Sequence, residues 1–199
     1  MNKAVRDSLR QILLIVFSVV LGILLSERIE ENKKEREAAL IFSKIKSEVH
    51  DNKELLAYWV PYHGDIVNHL DSLIEEEEFI NNFIENKSSL FDAVLTRGSL
   101  MSDMPAKDAW DIAKSHPLIV HFDYEDLLLL SRIYNQQAVT YEAVPNMMEL
   151  FLAADFNARE KAKANLQSFT NQLREVFSRE LQLLAYLQEA EKVYGLQEE

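Results

Sequence analysis

The sequence predicts an all-α fold, in which a transmembrane helix continues into a stalk and is followed by an antiparallel bundle of about five helices. Three observations support this prediction. Only 4 Gly and 4 Pro occur among the 199 residues, which leaves few tight turns for a sheet-rich fold. Residues 12–25 form one long apolar run. Elsewhere apolar residues recur at spacings of three and four, the period of an amphipathic helix.

The apolar run predicts a transmembrane helix over residues 11–27, after a short basic tail over residues 1–10. The fourteen residues 12–25 rise only about 21 Å, which is short for a hydrocarbon core of about 30 Å. Arg10 and Arg28 extend the span, because their side chains can snorkel to the two interfaces. A buried core helix and a cleaved signal peptide are the alternatives, but the residues after the run do not form a small-residue cleavage site.

The net charge of −12 is unevenly distributed along the chain. Residues 1–50 carry 9 basic and 7 acidic side chains, whereas residues 51–199 carry 12 and 26. Such an acidic domain argues against a nucleic-acid partner. The basic tail favours a bacterial inner-membrane protein whose C-terminal domain is extracytoplasmic. Basic residues also follow the predicted span, so the opposite orientation stays open.

An amphipathic stalk helix is predicted over residues 28–60. Its first part, Glu27–Glu37, is almost wholly charged. Apolar positions return from Ala38 onward with helical spacing, broken at Asn52. This stripe would pack on the bundle or on a second copy of the chain. Pro61 lacks a backbone donor, so a kink or a short break is expected there.

The remaining residues, 61–199, predict an acidic helical bundle. Asp123 would cap one helix, and Asn157 with Glu160 would form a capping box at the start of the last. Gly195 would end that last helix, which we expect to lie antiparallel to the first long helix. The predicted segments are 66–84, 105–115, 124–141, 147–156 and 158–194, with 90–95 left as a helical turn or a short strand.

Aromatic residues are the candidates for a ligand pocket or an interface, because Tyr58, Trp59 and Tyr62 lie where the stalk would meet the bundle. Packing alone is the alternative role for these rings. The candidate residues are Tyr58, Trp59, Tyr62, His63, Trp110 and Tyr134.

Motifs for catalysis or cofactor binding are absent from the sequence. There is no Cys and no Gly-rich phosphate loop, and no serine-nucleophile motif occurs. Asp65 and His69 have the i, i+4 spacing of helix-borne metal ligands, with His63 nearby. Because one Asp–His pair on an acidic surface is common, we expect no metal or other cofactor there. A second small group, His116, His121 and Asp123, is interpreted in the same way.

Several motifs in order resemble those of a group of uncharacterised bacterial single-pass membrane proteins, small helical proteins classed as domains of unknown function. The resemblance covers most of the chain and implies the same architecture, but it implies no activity and no catalytic residues. The motifs are Glu27–Glu37, Pro61-Tyr62-His63, Ala109-Trp110 with Ala113 and Lys114, Phe122-Asp123-Tyr124, and Leu130-Ser131-Arg132-Ile133-Tyr134 with Gln137.

These observations predict a membrane-anchored interaction or scaffold protein that is not an enzyme. Its partners would be the bilayer, through residues 11–27, and a protein, which includes a second copy of the chain. The main alternative is a membrane-tethered ligand-sensing or accessory domain that uses the aromatic pocket. A metal-dependent enzyme based on His63, Asp65 and His69, and a membrane-perturbing oligomer, are further alternatives.

Overall fold

One helix, α1, runs from Lys3 to Leu73 and sets the long axis of the molecule. The computed structural model describes residues 3–101 and 103–196, with side chains from residue 13 onward. Helices make up 81% of the chain and no strand occurs in these ranges, which confirms the all-α class. The other helices are α2 (Glu77–Glu85), α3 (Ser89–Val94), α4 (Asp108–Ser115), α5 (Tyr124–Tyr141), α6 (Val144–Leu152) and α7 (Ala162–Tyr194), with a 3-10 helix at Pro117–His121.

Of the predicted kink or short break at Pro61, the break is wrong, because α1 continues through this residue for another twelve residues. Pro61 lies on the exposed side of the helix, and so does Ala57, whose carbonyl loses its hydrogen-bond partner. Water can satisfy that carbonyl, so the proline leaves no buried unpaired backbone group at this position. The neighbours of Pro61, Val60 and Tyr62, are buried and hold the helix against the bundle.

The two longest helices, α1 and α7, pack against each other in opposite directions, as predicted. Residue numbers rise along α1 as those of their partners fall along α7. Gly64 permits a close approach, because a Cβ atom there would lie 3.0 Å from Cζ of Phe177. The paired side chains are His50 with Glu191, His63 with Glu180, and Asp71 with Arg174.

Buried apolar side chains form two clusters along these helices. The proximal core, nearer the N-terminus of α1, is built from α1, α4, α5 and α7. The distal core is built from the end of α1 with α2, α3, α6 and α7. Fully buried members are Ile45, Leu56, Leu130, Ile133 and Leu183 in the proximal core, and Leu70, Phe83, Phe156, Leu166 and Phe169 in the distal core.

The helix α1 has a projecting part and an enclosed part. Residues 13–30 lie beyond the bundle, Glu31 Oε1 comes within 3.6 Å of His121 Nδ1, and Ala38 is the first buried residue along the helix. Of the predicted stalk, residues 28–60, only the first few residues therefore project free of the bundle. From Ile41 onward the helix supplies one wall of the proximal core.

Four helix starts differ from the positions that the sequence predicts. Residues 66–73 of the predicted second helix belong to α1, and its remainder begins only at Glu77. The helix predicted from residue 147 begins at Val144. The helix predicted from residue 105 begins at Asp108, and the last helix begins at Ala162 rather than Ala158. The predicted capping box is wrong, because Asn157 donates instead to the backbone oxygens of Phe83 and Ile84, 3.3 and 3.0 Å away. Asn157 thus provides a hydrogen-bond donor for backbone carbonyls in the last turn of α2.

Two helix boundaries lie where the sequence predicts them. Gly195 ends α7 in the left-handed conformation, with φ 63°. The helix α5 begins directly after Asp123, although the Asp123 side chain forms no capping hydrogen bond. Residues 90–95, left open between a helical turn and a strand, belong to α3 up to Val94.

Candidate functional site

The aromatic residues near Pro61 surround a side chain of the protein itself. The guanidinium carbon of Arg97 lies 4.2 Å from the ring centre of Tyr58, 5.9 Å from that of Trp59 and 4.7 Å from that of Tyr62. Arg97 Nη1 also donates to the carbonyl of Tyr58 at 2.9 Å. Aromatic faces arranged in this way bind cations. Here Arg97, which the sequence analysis did not single out, already occupies that position.

Trp110 and Tyr134, the other two predicted aromatic residues, stack in the proximal core, away from Arg97. Their ring centres are 5.3 Å apart and the planes differ by 7°. Glu48, only 8% exposed, accepts a hydrogen bond from the Tyr134 hydroxyl at 2.6 Å and from the backbone N–H groups of Ala109 and Trp110 at 2.7 and 3.2 Å. The carboxylate of Glu48, on α1, therefore caps the N-terminus of α4, although Ala109 lies 61 residues away in the sequence. The buried Tyr134 hydroxyl beside it has a pKa well above its ordinary value, because of desolvation and this carboxylate.

The segment that precedes α4 is fixed by two amide side chains. Asn52 forms two bonds with Ala106, one to the carbonyl and one from the N–H, both 2.7 Å long. Gln137 Nε2 donates to the carbonyl of Pro105 at 2.7 Å. These bonds explain why Asn52 interrupts the apolar stripe of α1. The interruption was the available signal, but the sequence does not show which backbone groups it serves.

His63 is part of a buried polar cluster between the two cores. Its Nδ1 lies 2.6 Å from Glu180 Oε2, and its Nε2 lies 2.7 Å from the carbonyl oxygen of Leu100. The Tyr141 hydroxyl donates to the other Glu180 oxygen at 3.1 Å. His63 is 3% exposed and Glu180 is fully buried. Because both ring nitrogens face acceptors, the geometry suits a doubly protonated imidazolium paired with a carboxylate.

The pKa of His63 follows from opposing effects. Burial alone would lower it, but hydrogen bonding and charge from Glu180 outweigh burial and raise the pKa above its ordinary value. The carbonyl of Leu100 also raises it, whereas the charge of Arg97 lowers it. Burial and Glu180 raise the pKa of Tyr141 as well. All the polar groups of this cluster thus have partners within the chain.

An apolar cavity of about 160 Å³ borders the His63–Glu180 pair. Of the six predicted pocket residues, only His63 contributes to its wall. Cavities of about this volume can bind a benzene-sized molecule. Its lining consists mainly of flexible and branched apolar side chains: Leu100, Met101, Met104, Val144, Met147, Met148, Leu173 and Val176.

The predicted metal-binding candidates are not brought together as a ligand set. Both ring nitrogens of His63 are engaged as described, while Asp65 and His69 are exposed on α1. Within the part of the chain that the structure describes, the group with suitable spacing is His50, Glu54 and Glu191. Its buried carboxylate, Glu191, is already paired with His50 at 2.7 Å and with the ammonium of Lys53 at 3.3 Å. The other predicted group is also divided, because His121 faces Glu31 on α1 and His116 accepts from Leu118 N.

Residues 13–25, in the projecting part of α1, are largely apolar and are uncovered around the whole circumference of the helix. The large apolar side chains between Leu13 and Leu25 are 43–65% exposed, with no angular preference. Among the residues whose side chains are described, no helix combines the length and the apolar character needed to cross a membrane. The predicted span begins at residue 11, and the side chains of residues 11 and 12, like those of the predicted basic tail 1–10, lie outside the described ones.

Comparisons of the chain with protein-family models, with curated proteins and with solved structures give no match.

Proposed function

We propose that the protein is a membrane-anchored helical interaction module without catalytic activity, and that residues 11–27 of α1 cross the bacterial inner membrane. The supporting observation is the exposure of every large apolar side chain from Leu13 to Leu25. A partner helix would cover one stripe of such a surface, whereas lipid covers all of it. The resemblance to single-pass membrane proteins agrees with this proposal.

The buried polar residues support a structural rather than a catalytic role. Glu48 caps α4, and His63 and Glu180 neutralise each other. A general acid or base must reach a substrate from a pocket. The hydrogen-bonding atoms of these side chains are engaged within the chain, where they join α1 to α4, α5 and α7, although His63 and Glu180 also border the apolar cavity.

A single arginine in the apolar run tests the anchor. Val20→Arg places a charge near the middle of the proposed span, where arginine costs about 2.5–3.5 kcal/mol on insertion scales. We expect wild-type protein to stay in the membrane fraction after alkaline carbonate extraction and Val20→Arg to leave it. Ile29→Arg is the matched control, since Ile29 is 70% exposed and lies beyond the span. Release of the wild-type chain by carbonate would refute the anchor.

The orientation can be tested with single cysteines, because the chain contains none. We propose that the bundle is extracytoplasmic. Cysteine at the exposed position of Lys163 should react with a membrane-impermeant maleimide in intact spheroplasts. Labelling only after the membrane is opened would place the bundle in the cytoplasm.

The interaction role requires a partner, and we propose a protein, including a second copy of the chain. In-cell cross-linking from cysteines on the projecting part of α1 should give dimers if that partner is another copy. A protein that stays monomeric in mild detergent, and that captures no partner with or without cross-linking, would contradict the interaction role.

The cavity beside His63 favours a second candidate, a ligand-sensing domain for a small apolar molecule. Benzene or indole at saturating concentration should then raise the Tm of the bundle. Val176→Phe, which fills part of the cavity, should abolish that shift. An unchanged Tm in the wild-type protein would remove this candidate.

A further inference from the structure

Methionine residues are gathered at one place in the structure. The chain contains five methionines, and two segments that are far apart in the sequence bring four of them to the apolar cavity beside His63. The first pair precedes α4, and the second pair belongs to α6. The four are Met101, Met104, Met147 and Met148. The fold therefore places two pairs of thioether side chains around the same cavity.

Packing explains only part of this arrangement. Methionine commonly fills irregular gaps in a core because its side chain is flexible, and Met147, which is 3% exposed, fits that role. Met104 and Met148 also line the cavity, but they are 55% and 37% exposed. A residue that only fills a gap does not need to reach solvent. A ligand for an ion that arrives from solvent has to be reachable from it.

The backbone that carries these methionines is well fixed. Leu100, next to the first of them, has its carbonyl oxygen 2.7 Å from His63 Nε2. Ala106 forms two bonds of 2.7 Å with Asn52, and α6 packs on α7. Each methionine side chain keeps three rotatable bonds on this backbone. The sulfur atoms can therefore turn toward one ion without a rearrangement of the helices.

The available donor atoms determine which ion fits the cavity. Thioether sulfur is a soft, uncharged ligand that selects Cu(I), whereas hard cations such as Mg²⁺ and Ca²⁺ require oxygen ligands. The chain has no cysteine, so methionine supplies all of its sulfur ligands. His63 offers no free nitrogen, because both of its ring nitrogens face acceptors. A single positive charge also costs less to bury in apolar surroundings than a double one.

We propose that the four methionines of this cavity bind one Cu(I) ion through their thioether sulfurs, and that the ion enters between Met104 and Met148. This methionine site is separate from the group of His50, Glu54 and Glu191, whose nitrogen and oxygen atoms suit harder ions. The inference goes beyond the proposed interaction role, and it does not depend on the membrane anchor.

Methyl NMR with Ag(I) tests the site on the full chain in detergent micelles. Ag(I) shares the preference of Cu(I) for sulfur and is stable in air. In protein labelled with ¹³C at the methionine methyl groups, one equivalent of silver nitrate should shift the four signals of the methionine site. The signal of Met1, which is outside the proposed set, is the internal reference and should stay in place. Single Met→Leu variants assign the signals.

The possible results of this titration are distinct. The absence of a shift at one equivalent would overturn the proposal. Shifts of Met104 and Met148 alone would place the ion on the surface instead of in the cavity, and would overturn it as well. Equal shifts of all five signals would indicate unspecific contact with thioethers and would also contradict it.

A double variant separates the sulfur atoms from the apolar character of the cavity. Met104→Leu together with Met148→Leu keeps apolar side chains of similar volume but removes two ligands. The loss of an outer partner of a metal ligand already costs about 10–100-fold in affinity, so removing two ligands should weaken Cu(I) binding by at least about 100-fold. Competition with bicinchoninate under reducing conditions measures this loss. His50→Gln is the matched control, because it disables the other group with suitable spacing, and it should leave Cu(I) binding unchanged.

Thermal unfolding with indole separates this proposal from the ligand-sensing candidate. Indole needs only the apolar cavity, so the double variant should keep the Tm shift that the wild-type protein shows. Wild-type affinity for Cu(I) in the double variant would overturn the methionine site, whatever indole does. Loss of Cu(I) binding in His50→Gln would assign the ion to the group around Glu191 and would also overturn it.

Discussion

The two parts of α1 share one unbroken helix but have opposite surroundings. From residue 38 to Leu73 the helix buries one face in the bundle and exposes the other, whereas from Leu13 to Leu25 its apolar side chains are exposed on every face. Both parts are α-helical, although Pro61 removes one backbone hydrogen bond from the enclosed part. This difference shows that the distribution of apolar and polar side chains around a helix determines what covers the helix. The helical backbone conformation does not depend on that covering.

Polar groups follow the same division. The enclosed part carries Glu48, Asn52 and His63 in buried positions, each bonded to a group on another element. Between residues 13 and 25 the hydroxyl of Ser18 is the polar side-chain group, and it donates back to the carbonyl of Leu14 at 2.8 Å. One part pairs its buried polar groups across the fold, and the other has almost none to pair.

The largest expected difference between the two parts is in the cost of truncating leucine. Leu56 has no exposed area, so Leu56→Ala should lower the free energy of unfolding by about 2–5 kcal/mol. Leu24→Ala removes the same atoms from the projecting part and should change it by less than about 0.5 kcal/mol. Urea unfolding in detergent, followed by the fluorescence of Trp59 and Trp110, measures both. Equal losses would mean that residue 24 packs within the bundle.

A smaller loss is expected from a hydroxyl of the polar network. Tyr134→Phe removes one donor from the buried carboxylate of Glu48, which should cost about 1–3 kcal/mol. Tyr58→Phe deletes the same group from a ring that is 57% exposed and should cost almost nothing. The same unfolding experiment compares them. If Tyr134→Phe were as harmless as its control, Glu48 would be satisfied by its two backbone donors alone.

The charged pair in the enclosed part predicts a pH dependence. The pKa of His63 is raised in the folded state. Its contribution to the free energy of unfolding is therefore complete when the pH is below the pKa of the unfolded chain, about 6.5, and is lost as the pH rises through the pKa of the folded protein. Stability should fall as the pH rises above about 6.5, by at most about 1.4 kcal/mol per pH unit. Glu180→Gln removes the carboxylate that raises the pKa of His63, so this fall should be lost. Parallel slopes in the two proteins would contradict the ion pair.

The smallest effect is expected at the surface of the α1–α7 contact. Arg174 Nη2 lies 2.5 Å from Asp71 Oδ1, but both side chains are more than 40% exposed. Asp71→Asn should therefore cost at most about 1 kcal/mol, and added salt should remove most of the difference. A loss as large as that of Leu56→Ala would show that this pair, rather than the apolar face, holds the helices together.

The sequence predicted the features that depend on local pattern. The apolar stripe of α1, the end of α7 at Gly195 and the start of α5 after Asp123 all follow from nearby residues. Pro61 misled the prediction because its effect depends on which side of the helix meets water, and the sequence shows that side only once the packing is known.

The candidate site was predictable only in part, because its partners come from distant segments. His63 and Trp110 were identified as residues, but Glu180 lies 117 positions from His63 and Glu48 lies 62 positions from Trp110. Because Glu48 is so far from α4 in the sequence, no residue near α4 indicates that this carboxylate caps the helix. The occupation of the aromatic cluster by Arg97 likewise depends on a turn that is 39 residues from Tyr58.

The continuity of α1 has a mechanical consequence. The helix has no break between the apolar run and its last residue, Leu73, so the tilt of one end determines the position of the other. From residue 19 to Leu73 the axis measures about 80 Å, and a tilt of about 10° displaces the far end by about 14 Å. A bilayer changes the tilt of a helix when its thickness changes. In the proposed arrangement the chain therefore works as a lever, which converts a small change in the membrane into a lateral movement at the distal core.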